Sequence, residues 1–456
     1  MIEFLIEKME AHRGETALAM PSGSCSYGDL LTRVREWQKR LAALPPGRVV
    51  SLEGDYGPES IAVFLAATWT RHIIVPLSPD SRAHHGTCLE VGSVEYRIRP
   101  GETSDGALEA TGRTASHPLY DSLRRDGDPG LLLFSSGSTG TPKAALHDLA
   151  RLLAKYRVPR QRLRTLVFLL LDHIGGVNTL FYTLSNGGAV VLSADRSPAA
   201  VCEAIETHRV ELLPTSPTFL NLLLLSGEVS RRELSSLRLI TYGTEPMPAS
   251  TLEQACKALP NARFLQTYGL TELGILRSQS RDSNSLWVRV GGEDFEWKVV
   301  DGRLWIRAKS AMLGYLNAPS PFDAEGYFDT GDLVEVDGEW IRFLGRNSDV
   351  INVGGNKVHP AEVESTLLQM EGVADVVVRG QPNPLTGQIV LATVQLTTGE
   401  TADQFKLRMR QFCAERLASY KVPARVQITD KPVYSARFKR VRKSDAASIH
   451  ESERSA

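Results

Sequence analysis

Between Leu131 and Asp148 the sequence reads LLLFSSGSTGTPKAALHD, and its residue types are those of a loop that grips phosphate. An apolar run leads straight into Ser135, Ser136, Gly137, Ser138, Thr139, Gly140, Thr141, Pro142 and Lys143. Residues this small let main-chain N–H groups close on a phosphate, and the hydroxyls add further donors. The spacing is not that of the G-x-x-x-x-G-K-[ST] loop, and Pro142 stands before the lysine. The same composition serves surface linkers elsewhere, but a linker has no reason to follow directly on a buried strand. Shorter patterns come later, each with an ordinary reading when taken singly. Thr271-Glu272 suits a helix cap, Asp329 to Asp332 a β-turn, the basic run KRVRK from Lys439 a solvated patch, and His173 after an apolar strand a structural histidine.

The order of these patterns changes their meaning. Ser135 to Lys143 matches [ST]-S-G-[ST]-T-G-x-P-K, and the chain thereby resembles the adenylate-forming superfamily of acyl- and aryl-CoA synthetases, peptide-synthetase adenylation domains and beetle luciferases. Ala144 stands where that family usually has glycine. The resemblance runs from about Arg48 to Lys443 with the family's other motifs in sequence. It implies that Gly243, Thr244 and Glu245 lie against adenine, that Tyr268 stacks on it, that Thr271 bonds phosphate and that Glu272 helps hold Mg2+. Asp332 would accept hydrogen bonds from both ribose hydroxyls, and Arg346 would contact ribose and phosphate. Lys439 is the implied bridge between the substrate carboxylate and the α-phosphate, although Phe438 replaces the glycine that usually precedes it. Gly354 and Gly355 are implied to line a pantetheine tunnel after the small domain rotates, with Ser348 where the hinge usually has Asp or Lys. His173 resembles acyl- and aryl-CoA synthetases rather than amino-acid-activating relatives, which carry aspartate there; Asp172, where an aromatic residue is usual, leaves amino-aryl acids open.

The elements that must position these residues follow from periodicity. RVVSLEG, PESIAVFLAATWTR and IIVPL read as strand, helix and strand. The alternation resumes with LRTLVFLLLD and continues through GAVVLS, VELLPTS, LRLITYG and ARFLQTYG, with helices from about Gly176, Ser197, Pro217 and Pro248 between them. Buried strands regularly separated by helices predict an α/β protein with parallel sheets covered on both faces. From Leu286 to Phe343 short strands and two Asp-Gly pairs predict a β-rich lobe with hairpins. From about Asp349 the pattern is that of a compact α+β unit. The expected organisation is a large N-terminal domain of stacked parallel-sheet subdomains with the β-rich lobe over 1–346, a small mobile C-terminal domain over 349–443, and a disordered tail over 444–456.

Composition excludes other classes. Lysine plus arginine (52) cancels aspartate plus glutamate (53), so no global field draws nucleic acid or an anionic membrane. No stretch approaches the roughly 20 apolar residues of a spanning helix, and the N-terminus lacks an apolar h-region. The five cysteines form no C-x-x-C pair and read as reduced thiols, which points to the cytoplasm. No internal repeat supports a scaffold, and a binding protein that has lost catalysis is disfavoured by retention of Glu272, Asp332, Arg346 and Lys439. The expected reaction is ATP-dependent activation of a carboxylic acid to acyl-AMP, followed by transfer to coenzyme A. A carrier-protein ligase and an amide synthetase are the alternatives; GGNKVHPAEVE favours coenzyme A.

Overall fold

The computed structural model describes residues 2–101, 108–135, 142–292, 294–435 and 438–440. The tail read over 444–456 therefore lies outside the described residues.

Two seven-stranded sheets form the α/β body. In one, the order is Arg263–Gln266, Leu239–Tyr242, Leu212–Thr215, Arg164–Leu166, Ala189–Val191, Thr16–Met20 and Gly23–Ser26, parallel except for the final hairpin. In the other, Val49–Glu53 lies between Ile73–Leu77 and Tyr96–Ile98, with Gly130–Ser135, Lys143–Asp148 and Gly314–Tyr315 completing one side. The strands are short and apolar because helices cover them. Leu131, Leu132 and Leu133 are all buried, each burial contributing about 1.5–3 kcal/mol relative to exposure. Helices Pro58–Trp69, Pro198–His208 and Pro217–Leu225 open on proline, whose missing N–H costs nothing in a first turn. Ser197 and Ser216 accept main-chain N–H bonds as N-caps of the last two.

LRTLVFLLLD is a strand only over Arg164–Leu166. Its neighbour Ala189–Val191 ends opposite Leu166, so Val167 makes one last bond to Val191 and the chain then turns away towards His173. Sequence periodicity also passed over Thr16–Met20, which sits beside Ala189–Val191 in parallel register, and the helix Tyr27–Leu41, started by a Ser26–Asp29 capping box.

Among the described residues the β-rich lobe is a six-stranded antiparallel sheet in the order Ser278–Ser280, Trp287–Val290, Trp340–Arg346, Phe328–Asp337, Arg303–Ala308 and Phe295–Val300. Asp301-Gly302 turns the chain between Phe295–Val300 and Arg303–Ala308 with both residues at positive φ, the type I′ geometry an Asp-Gly pair favours. The last unit pairs Val373–Asn383 with Gly387–Leu396, adds Ile351–Val353, Asn356–Val358 and Arg425–Ile428, and packs Pro360–Leu367 and Ala402–Cys413 around its own buried core. This is the mixed α/β class read from the sequence, with parallel sheets in the large part and a small α+β part at the C-terminal end. Among the described residues no helix is long and apolar enough to cross a membrane.

Candidate active site

Parallel strands in register end together, so the segments that follow them emerge at one edge of the sheet, where α/β folds place ligands. Thr215 pairs with Tyr242, and Tyr242 with Gln266. That register brings Ser216, Gly243 to Glu245 and Thr267-Tyr268 to the same edge. Tyr242 O accepts from the Thr267 N–H (2.7 Å) and from its hydroxyl (3.1 Å), tying two of these segments together. Gly243 is required by this approach: a β-carbon there would stand 2.7 Å from Thr267 O. The Glu245 carboxylate accepts from Thr218 Oγ1 (2.6 Å) and from the Arg440 N–H. It is thus committed to side chain and main chain around it.

Tyr268 is buried, its ring stacked on Phe343 at 4.5 Å and 16°. Its hydroxyl donates to Asp332 Oδ2 (2.7 Å). Burial and the adjacent carboxylate push its pKa well above the ordinary value, so it stays a phenol and a donor. Asp332 lies within the strand Phe328–Asp337 rather than in an isolated turn, directly opposite Arg346, whose Nε is 3.0 Å from Oδ1. Burial raises the Asp332 carboxyl above its usual range, against the opposing pull of Arg346. A buried carboxylate with two donors already in place and a half-exposed guanidinium beside it is chemically suited to a diol.

Thr271 and Glu272 stand at the tip of the hairpin Tyr268–Leu270/Gly274–Leu276, not at a helix start. Glu272 Oε1 accepts from the Tyr315 hydroxyl (2.6 Å), and Lys143 Nζ lies 5.2 Å from the centre of the Tyr315 ring. Ser135 pairs with Lys143 across the two strands that bracket the glycine-serine loop. Asn317 holds the exit from that loop: its amide donates to Pro142 O (2.9 Å) and accepts from Ala144 N–H (3.0 Å). Tyr315 and Asn317 were not singled out from sequence. The only signal for them is that Gly314–Tyr315 pairs with Lys143–Asp148 from 170 residues away, a long-range contact no local pattern encodes. Ser136, Gly137, Ser138, Thr139 and Gly140 lie outside the described residues.

His173 immediately precedes the helix Ile174–Ser185, its Nε2 4.0 Å from Asp172 Oδ1. Asp172 is buried, and its Oδ2 accepts from Ser78 N–H (3.2 Å), Ser78 Oγ (2.6 Å) and Ser81 Oγ (3.2 Å). The carboxylate that left amino-aryl acids open is thus engaged in joining the two sheets. Lys439 sits in a tight turn whose ends close through Ser435 N–H to Lys439 O (2.9 Å), with Phe438 reaching into the large domain. A cleft of about 750 Å³ opens beside Phe438, floored by Val167 to Leu170 and rimmed by Asp55, Asp80, Asp195 and Arg196. Gly354 and Gly355 are apart from this group, exposed at the turn between Ile351–Val353 and Asn356–Val358 with φ of 56° and 87°. Among the described residues no cluster of three or more His, Cys, Asp or Glu is arranged to hold a metal by itself.

Residues 5–316 match the model of the AMP-binding enzyme family, and residues 362–436 match that of the AMP-binding enzyme C-terminal domain. The chain belongs to the AMP-binding enzyme family. Among similar sequences, the 2-succinylbenzoate–CoA ligase of Bacillus velezensis is 32% identical over 321 residues, 65% of this chain and 64% of that ligase. The feruloyl-CoA synthase of Amycolatopsis sp is 28% identical over 461 residues, covering 91% of this chain and 92% of the synthase. Among solved structures, the anthranilate CoA ligase AuaEII in complex with anthranoyl-AMP superposes with a TM-score of 0.83 at 21% identity, over 99% of this chain and 96% of that one. The amide bond synthetase McbA from Marinactinospora thermotolerans superposes with a TM-score of 0.77 at 24% identity, over 98% and 99%. These likenesses give the AMP-binding enzymes' two-part fold to the whole of this chain.

Proposed function

We propose that this AMP-binding enzyme activates a carboxylic acid with ATP and passes the acyl group to coenzyme A. The observation that carries the reading is that the short hairpin Tyr268–Leu270/Gly274–Leu276 links three groups drawn from different sheets: it follows the strand edge that carries Gly243–Glu245, its Tyr268 joins Asp332 and Arg346 of the β-rich lobe, and its Glu272 joins Tyr315 and Lys143 of the second seven-stranded sheet. The first two suit an adenosine, and the third suits a triphosphate. In the first half-reaction a carboxylate oxygen attacks the α-phosphorus, the new P–O bond forms, and the bond to pyrophosphate breaks. The chain's part is to hold the reactants in line and to neutralise charge, through Lys439, Lys143 and the donors of the Ser135–Lys143 loop. A lone carboxylate fits a hard cation that arrives on the triphosphate, so Glu272 would hold Mg2+, which supplies charge neutralisation at the phosphate oxygens when bound. In the second half-reaction a thiolate attacks the acyl carbon, the C–S bond forms, and the C–O bond breaks with AMP leaving on its electron pair. No protein nucleophile takes part.

His173 faces the acid in this scheme, and the engagement of Asp172 with Ser78 and Ser81 favours an acid without an ammonium group. Residues 349–443 are proposed to move as one unit about Arg346–Asp349, bringing Gly354 and Gly355 to the pantetheine in the second half-reaction. Five free cysteines suit a reducing compartment, and we place the enzyme in the cytoplasm. A second acceptor reading has one observation behind it: the rim of the cleft carries Asp55, Asp80 and Asp195 against Arg196, a balance that repels the phosphates of coenzyme A and suits an amine.

The test is isotopic ATP–pyrophosphate exchange with a panel of fatty, benzoic and heteroaryl acids, repeated with coenzyme A and with amines. Exchange with at least one acid and appearance of its thioester are expected. No exchange with any acid overturns the adenylation reading; exchange without consumption of coenzyme A moves the acceptor to a carrier protein or an amine.

A further inference from the structure

Lys439 is held between two unlike neighbours. Phe438 takes φ of 51°, and its ring packs against Phe168 (5.2 Å) and Phe219 (5.4 Å) of the large domain, with Tyr434 stacked on it at 5.6 Å. Its carbonyl accepts from Ser216 Oγ at 2.9 Å. Arg440 turns the other way, into the small domain. Its guanidinium is 5% exposed and pairs with Glu364 Oε2 (3.1 Å) and Asp375 Oδ1 (3.2 Å), carboxylates that are themselves 0% and 1% exposed. Its main-chain N–H donates back to Glu245 of the large domain. A planar guanidinium buried against two carboxylates has little freedom, so the turn carrying Lys439 is fixed to the small domain by a rigid clamp. The bonds to Ser216 and Glu245, by contrast, cross between domains.

We propose that Arg440 is a positioning residue for acid activation: its side chain clamps the Lys439 turn onto Glu364 and Asp375, and its main-chain N–H docks that turn on Glu245. The proposal rests on the adenylation reading above. A rotation of the small domain keeps the Glu364 and Asp375 pairs and breaks the Ser216 and Glu245 bonds, so docking at Glu245 belongs to the first half-reaction alone. The sequence motif gives no such role to the residue after the lysine.

The experiment compares Arg440→Gln and Glu245→Ala, which removes the acceptor of the Arg440 main-chain N–H, with wild-type enzyme, after thermal unfolding has confirmed that each folds. Wild-type enzyme that exchanges pyrophosphate with no acid defeats the adenylation reading itself, before either variant is measured. Given an active wild type, both variants are expected to lose about tenfold or more in kcat for exchange, with KM for ATP and acid changed by no more than about twofold. Arg440→Gln should also convert supplied acyl-AMP to thioester at close to the wild-type rate. Glu245→Ala leaves the buried Arg440–Glu364–Asp375 group whole, so it decides the matter even where Arg440→Gln unfolds the small domain. Exchange at wild-type kcat in either folded variant overturns the proposal. So does equal loss of both half-reactions in folded Arg440→Gln, the mark of a purely structural residue. A raised KM for ATP at unchanged kcat in Glu245→Ala overturns it too, as the mark of a nucleotide contact.

Discussion

Phe438 stands where the motif read from the sequence leads one to expect glycine, and its backbone takes the left-handed conformation that glycine adopts freely. An L-residue there costs roughly 1–2 kcal/mol. The aromatic contacts with Phe168, Phe219 and Tyr434 offset that cost, aromatic pairs contributing about 0.5–1.5 kcal/mol each beyond burial. The departure from the motif is therefore a change in what holds the turn, not in its shape. Lys439→Ala is expected to reduce pyrophosphate exchange by at least about a hundredfold, while most thioester formation from supplied acyl-AMP survives. Exchange at the wild-type rate would move the role to another cation. Glu272→Gln keeps an acceptor for the Tyr315 hydroxyl but removes the charge. Its expected signature is a magnesium requirement raised several-fold in the exchange assay; an unchanged titration contradicts the metal role.

At the scale of elements, the strand Lys143–Asp148 does two jobs. Its first residue closes the glycine-serine loop, and its buried face carries His147, completely enclosed and facing the main chain at Thr271 and Ser310. Burial lowers the imidazole pKa from 6.5 to about 4. The folded protein keeps this ring neutral, whereas the unfolded chain takes up a proton near pH 6.5, so below that pH the unfolded state binds more protons. Stability from this group is complete above about pH 6.5 and falls as pH drops towards about 4, by at most about 3 kcal/mol. Denaturant midpoints at pH 7 and pH 5 should differ for the wild type more than for His147→Gln. Equal differences would mean that His147 does not carry the dependence. The consequence reaches the site, because the element that loses its packing is the one that aligns Lys143 with Tyr315 and Glu272.

At the scale of the molecule, the catalytic scheme asks one small unit to present Lys439 and then Gly354-Gly355. These two sets do not lie together: the first is docked on the large domain, the second is exposed at a hairpin turn. Nothing stands within 4 Å of a β-carbon built on Gly355 in this arrangement. Gly355→Leu should therefore retain single-turnover pyrophosphate release and lose thioester formation, and Gly355→Asn, which tolerates positive φ, separates blockage from backbone strain. Loss of both half-reactions together in a folded Gly355→Leu enzyme would remove the support for a two-orientation mechanism.

Much of this protein was legible in one dimension. The alternation of short apolar runs with helical patterns specified the α/β class, because a strand buried on both faces has no choice but to be apolar throughout. Both Asp-Gly pairs marked hairpin turns: Asp301 and Gly302 both take positive φ, and at Asp337-Gly338 the glycine alone does, conformations that few residues adopt cheaply. The ordered motifs from Ser135 to Lys439 named the residues on which the proposed function rests. Tertiary structure alone decided how the groups meet: that Tyr315 lies between Glu272 and Lys143, that Asp172 is tied to Ser78 and Ser81, that Glu245 faces Arg440, and that Phe438 stands in a glycine's conformation. The pairings named join residues 43 to 195 positions apart, brought together by sheet register and domain packing. Local periodicity reports which face of an element is buried, and carries no information about which distant side chain will be found there.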